Sequence, residues 1–181
     1  MHQHDRAQLH AQPAPAPAPA GTEGAPLRFR ERVRLRVGNA DLLVFLVGSE
    51  RFGVELRAVD EVVEKPELRS IPEAPRGLLG VFPLREQLLP LYAPAHVLGP
   101  HAQDGHLALV MRSASRRVGL AVDDVEDVLS LSLTTLRDPP PGVNDDEVVA
   151  GLLWHGDLLI TVLDARALVT ACTASAIPTA S

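Results

Sequence analysis

Seven histidines, two acidic runs and one arginine-rich stretch are the parts of this 181-residue chain whose residue types could do chemistry. His96, His101 and His106 recur at intervals of five around a loop holding Gly and Pro, while His2, His4 and His10 lie in the first ten positions. Residues i and i+5 are not neighbours on a helix, and no cysteine or carboxylate completes a ligand spacing, so these read as solvated loop histidines. The runs Asp123-Asp124-Val125-Glu126-Asp127 and Asn144-Asp145-Asp146-Glu147 lack the alternating ligands and central glycine of a calcium loop, and read as solvated faces. No GxSxG, GxxxxGK or GxGxxG is present, and nothing pairs a nucleophile with a base by a known local signature. The expectation is a protein without catalytic residues, metal or cofactor.

The arginine stretch is Leu27-Arg-Phe-Arg-Glu-Arg-Val-Arg-Leu-Arg-Val37. Extended, it would place Arg28, Arg30, Arg32, Arg34 and Arg36 on one face and the apolar residues on the other. Residues 27–40 are therefore expected to form an extension strand. Subtracting Glu31 leaves +4 over positions 28–36 and −10 for the rest of a chain whose net charge is −6. Such a strand could be a solvated edge whose charges deter pairing, or a surface for an acidic or nucleic-acid partner.

What must position these residues follows from composition. With 46% hydrophobic and 22% charged residues, the chain has enough for one sizeable core. Aromatics are only 3%, while 28 Leu and 20 Val predict an aliphatic core of short strands. The lone Cys172 allows no internal disulfide, which fits a cytosolic setting. The longest prominent apolar run, Leu42–Val47, is six residues against about 20 for a membrane span, so neither export nor insertion is expected.

Residues 1–26 contain an Ala/Pro alternation that reads as an extended, disordered spacer, and 171–181 as a frayed end. Between them lies an internal repeat. At offset 66, Phe52, Gly53, Val54, Leu56, Val59, Val62 and Val63 fall on Val118, Gly119, Leu120, Val122, Val125, Val128 and Leu129, and the acidic pair Asp60–Glu61 falls on Glu126–Asp127. At offset 71, Gly80, Val81, Phe82, Leu88 and Leu89 fall on Gly151, Leu152, Leu153, Leu159 and Ile160. The halves, about 41–99 and 106–170, each offer about five strands, and each is expected to close into a small barrel that packs on the other. Leu42–Val47 and Phe52–Leu56 read as a hairpin around a four-residue loop, Gly48–Arg51. Ala95–Leu98 and Ala165–Val169, the latter after Asp164, read as short helices.

In order and spacing, Leu42-Leu-Val-Phe-Leu-Val-Gly-Ser-Glu-Arg-Phe-Gly-Val54, Val59-Asp-Glu-Val-Val63, Gly80-Val-Phe-Pro-Leu-Arg-Glu-Gln-Leu-Leu-Pro90, Val118-Gly-Leu-Ala-Val-Asp-Asp-Val-Glu-Asp-Val-Leu129 and Gly151–Asp164 resemble the CheW-like domain of bacterial chemotaxis adaptors. The resemblance covers about 41–170. It implies a mainly β fold of two five-stranded SH3-like barrels around a shared apolar core. It also implies a non-catalytic, cytoplasmic adaptor that couples chemoreceptor cytoplasmic tips to the regulatory domain of a CheA-type histidine kinase. The family's Asn-Leu-Arg-Gly, whose Arg lies in the signalling surface, stands here as Pro83-Leu84-Arg85-Glu86. The resemblance assigns partner contact to Arg85 with Glu86 beside it, and to apolar barrel faces including Val54, Leu56 and Val81. Glu in place of Gly would lose free access to positive φ and remodel the turn. The alternative reading is a small β-barrel that binds nucleic acid through Arg28–Arg36.

Overall fold

The computed structural model describes residues 25–64, 66–99, 105–143 and 147–174. Ten strands dominate it: β1 (Asn39–Val47), β2 (Glu50–Glu55), β3 (Val59–Glu64), β4 (Leu78–Leu84), β5 (Gln87–Tyr92), β6 (Leu107–Ser113), β7 (Arg116–Val122), β8 (Asp124–Ser132), β9 (Val149–His155) and β10 (Leu158–Leu163). Three helices accompany them: α1 (Phe29–Leu35), α2 (Ala95–Leu98) and α3 (Ala165–Ala174). The strands form two five-stranded sheets, in order β8-β1-β2-β10-β9 (barrel A) and β3-β6-β7-β5-β4 (barrel B).

The mainly β double-barrel class is as expected, but the halves do not close separately. Barrel B is the continuous stretch from β3 to β7, and barrel A is assembled from β1 and β2 of the first half with β8, β9 and β10 of the second. Exchanging β1, β2, β3, β4 and β5 for β6, β7, β8, β9 and β10, and the reverse, converts one sheet order into the other. The repeat thus yields two like barrels that trade strands. The halves join through the antiparallel pairs β1–β8 and β3–β6 and the parallel pairs β2–β10 and β5–β7. The physical reason is in β1. Leu43, Phe45 and Val47 enter a core shared with Leu107, Leu109 and Met111 of β6, while Leu42 and Val44 fill barrel A's own interior. A strand buried on both faces reads as a continuous apolar run, which is what Leu42–Val47 is.

Each barrel closes through a single backbone bridge. Arg69 N–H donates to Val81 O at 2.8 Å, with the reciprocal bond at 3.0 Å, and Arg137 and Leu152 exchange two bonds of 2.8 Å. The recurrent glycines lie at these bridges. A Cβ on Gly80, whose φ is +154°, would sit 2.8 Å from Arg69 O, and one on Gly151 would sit 3.1 Å from Arg137 O. Gly80→Ala should therefore destabilise by about 2–3 kcal/mol and Gly151→Ala by clearly less. Denaturant midpoints of the two variants read this order directly.

The hairpin β1–β2 pairs as far as Val47 and Glu50, so its loop is two residues rather than four. Both short helices form, and Asp164 caps α3 by accepting the Ala167 N–H at 2.8 Å. α3 runs on through Ala174, correcting the frayed end expected from 171, because Cys172 packs into the shared core. The rest of that end, 175–181, and most of the Ala/Pro segment lie outside the described residues. Burial pushes the Cys172 thiol up to about 12. The folded state then holds this proton after the unfolded chain has released it, so stability should fall as pH rises from about 9 toward 12. A thiol reagent at pH 8 should label Cys172 only once denaturant is added.

The largest departure is at the arginines. Residues 29–35 are helical, not extended. Phe29 and Val33, four apart, plug barrel A's interior beside Leu133 and Leu136, whereas Leu27, Leu35 and Val37 stay exposed. Barrel A's interior gives these two apolar side chains a seat that an extended strand would not fill. The Glu31 carboxylate accepts the Arg28 N–H at 2.9 Å, and Arg36 ends the helix in the left-handed region with φ 56°. Arginine is itself a good helix former. No helix among the described residues is long and apolar enough to cross a membrane.

Candidate functional site

Folded as a helix, this stretch pairs three of its five guanidinium groups with carboxylates of the protein. Arg32 pairs with Glu55 at 2.8 Å, Arg34 with Glu147 at 3.4 Å, and Arg36 with Asp138 at 2.7 Å and with Leu136 O at 2.6 Å. Arg30 reaches Val149 O at 3.4 Å. With three of the five engaged by carboxylates of the protein itself, the nucleic-acid reading is not favoured.

A different set of charges converges on barrel B. β3 carries a register shift between Val59 and Glu61, and such a bulge lets consecutive side chains share a face. Asp60 accepts from Arg117 at 2.7 Å and lies 3.3 Å from Arg112. Glu61 lies 3.2 Å from Arg85 and 3.7 Å from Arg117, whose Nη1 also donates to Gln87 Oε1 at 3.0 Å. The Glu61 Oε1 is shielded and makes no hydrogen bond within the protein, so charge alone holds it to the two guanidinium groups. Arg117 is the hub, and it fastens Glu61, which in turn aims Arg85.

Arg85 occupies the two-residue turn between β4 and β5, where Leu84 pairs with Gln87. Its φ is 56°, a left-handed conformation that favours glycine and costs other residues roughly 1–2 kcal/mol. The strain thus falls on Arg85 and not on Glu86, which replaces the family's glycine without adopting positive φ. Glu86 is exposed beside it. Behind the turn, Leu88 pairs across the strands with Pro83, and Pro90 with Val81, giving an outward apolar strip on which Leu88 is 59% exposed.

The remaining expected contacts divide. Val81 is half-buried on this strip, and Leu56 is partly exposed in the 3₁₀ turn after β2. Val54 is 0% exposed within the shared core and presents nothing to a partner, because β2 turns that side inward against barrel B. Asp60, Glu61, Arg112, Arg117 and Leu88 were not singled out from the sequence as contacts. The sequence signal that could have found two of them is the repeat. Arg51 and Glu126 of barrel A, 66 positions from Arg117 and Asp60, form a bidentate pair at 2.8 Å.

The equivalent end of barrel A has diverged. Its turn is Gly156–Asp157, and the strip behind it bears Trp154, 62% exposed, paired across to Leu159. The molecule therefore has one charged end, one aromatic end and a common frame, two unlike exposed surfaces on a duplicated double barrel.

The CheW-like domain family model matches residues 41–172, and the chain belongs to that family. It is similar to the chemotaxis protein CheW of Rhizobium meliloti (strain 1021), 34% identical over 113 residues that cover 61% of this chain and 73% of the relative. It is also similar to the chemotaxis protein CheW of Treponema pallidum (strain Nichols), 25% identical over 150 residues that cover 77% and 88%. The fold is shared with the crystal structure of the scaffolding protein TtCheW from Thermoanaerobacter tengcongensis, at a TM-score of 0.63 and 24% identity, covering 70% of this chain and 89% of that one.

Proposed function

We propose that the protein is a cytoplasmic chemotaxis scaffold that couples chemoreceptor cytoplasmic tips to the regulatory domain of a CheA-type histidine kinase, with no catalytic step of its own. The observation that carries this reading is Arg85, kept in a strained left-handed turn and aimed by Glu61 at the rim of an exposed apolar strip. Strain retained at an exposed charged residue is a mark of a functional contact. A coupling protein needs two unlike surfaces on one rigid body, and the diverged ends of the two barrels supply them. On this reading Arg85, Glu86, Val81 and Leu88 meet one partner, and Trp154 and Leu159 help meet another.

The test is titration of the full chain with the cognate receptor tip and with the cognate kinase regulatory domain. Binding of both, and a ternary complex formed from the three, supports the proposal. Failure to bind either partner overturns it.

A further inference from the structure

A groove of about 970 Å³ opens between α1 and α3, and neither Arg85 nor Glu86 lines it. Seven arginines and four carboxylates line it, on a chain whose net charge is −6. The carboxylates are already engaged inside the protein. Glu55 lies between Arg32 at 2.8 Å and Arg57 at 2.9 Å, Glu147 pairs with Arg34, Glu31 caps α1, and Asp164 caps α3. Arg166 is exposed on α3 and meets no carboxylate among the described residues, and Arg30 has only a long bond to a backbone carbonyl. Among the described residues the groove thus has positive charge to spare within an acidic molecule.

Its floor is apolar. Leu27 is 47% exposed at the entrance, and Val97, Ala167 and Ala171 continue the surface between the guanidinium groups. We infer that this groove docks an acidic amphipathic helix of a partner protein, its carboxylates on Arg30 and Arg166 and its apolar stripe on the floor. The small side chains of α3 let a backbone approach closely, and the volume accommodates roughly two turns of a helix about 10 Å across. A nucleic acid fits less well, since Phe29, the one Phe, Tyr or Trp in the lining, is buried in barrel A and cannot stack on a base. Part of the basic wall comes from α1, which precedes the family domain at 41–172, and neither Arg85 nor Trp154 lines the groove, so this surface is additional to the coupling surfaces proposed above.

The probe is a fluorescent synthetic peptide of about 15 residues, built of Glu, Leu and Ala with charged and apolar faces opposed, titrated against the full chain without receptor or kinase. A Gln-for-Glu peptide and an oligothymidine of similar length serve as competitors. Binding of the Glu peptide is expected, weakened at least about tenfold by Arg30→Glu with Arg166→Glu and by Ala171→Trp, and absent for the Gln peptide. Both variants should still bind receptor tip and kinase domain. The inference is overturned if the Glu peptide does not bind, if neither variant weakens it, if oligothymidine binds more tightly, or if the variants lose receptor or kinase as well. Because the peptide arm contains neither partner, its outcome is independent of whether the coupling function holds.

Discussion

Phe45→Ala is expected to remove about 3–5 kcal/mol of stability and to lower the melting temperature by roughly 10–15 °C. Phe45 has no exposed surface and stacks on Phe52 with ring centroids 5.9 Å apart. Both lie in the shared core, where β1 and β2 of barrel A meet β6 and β7 of barrel B. That core holds more buried side chains than either barrel's own interior, and barrel B's interior is small: Phe82, Leu89, Leu91, Ala108, Val110 and Ala121. Neither barrel can retain its structure once the shared layer is loosened. The variant should thus unfold in one transition, with calorimetry and far-UV circular dichroism coinciding. Two resolved transitions would show that the barrels are independent and would contradict the shared-core account. Against a typical total of about 5–15 kcal/mol, the loss is large enough to leave the variant marginal at growth temperatures.

The second large effect separates stability from binding at one residue. Arg85→Gly is expected to keep or slightly raise stability, by up to about 1 kcal/mol, while weakening receptor-tip or kinase binding about tenfold or more. The left-handed φ of 56° costs arginine and not glycine, and the ion pair with Glu61 returns little because Arg85 is largely exposed. Arg85→Ala would lose the same charge and keep the strain. The expected order of melting temperature is Gly at or above Arg, with Ala lowest, while both variants bind poorly. If Gly and Ala melt alike, the turn is not strained; if binding is unchanged, Arg85 is not the contact.

Much of this molecule is legible in the sequence because the repeat forces it. Matched residues such as Gly80 with Gly151 and Leu120 with Val54 occupy equivalent places, and the apolar run Leu42–Val47 announces a strand buried on two sides. Which half supplies which strand is not legible, since a hairpin satisfies the same apolar pattern against its own half or the other. The arginine stretch misled for a related reason. Alternation over 27–37 contains the helical pair Phe29 and Val33, and the choice was made by barrel A's open interior, a tertiary feature invisible to periodicity. The positive φ likewise falls one residue before the glycine position of the family pattern, on Arg85 and not on Glu86. The Asp60–Glu61 pair was visible as a repeat element, but its partners lie on β6, on β7 and in the β4–β5 turn.

The trading of strands also bears on how the chain is made. Synthesis delivers β1 and β2 first, then all of barrel B, and only afterwards β8, β9 and β10. As the polypeptide leaves the ribosome, the first hairpin must wait while the inserted barrel assembles, with Leu42 and Val44 still lacking the strands that will enclose them. A stall before residue 149 would release a molecule whose second barrel is complete and whose first has an open edge at β2. Such truncated products are the ones most prone to aggregate or to be captured by chaperones.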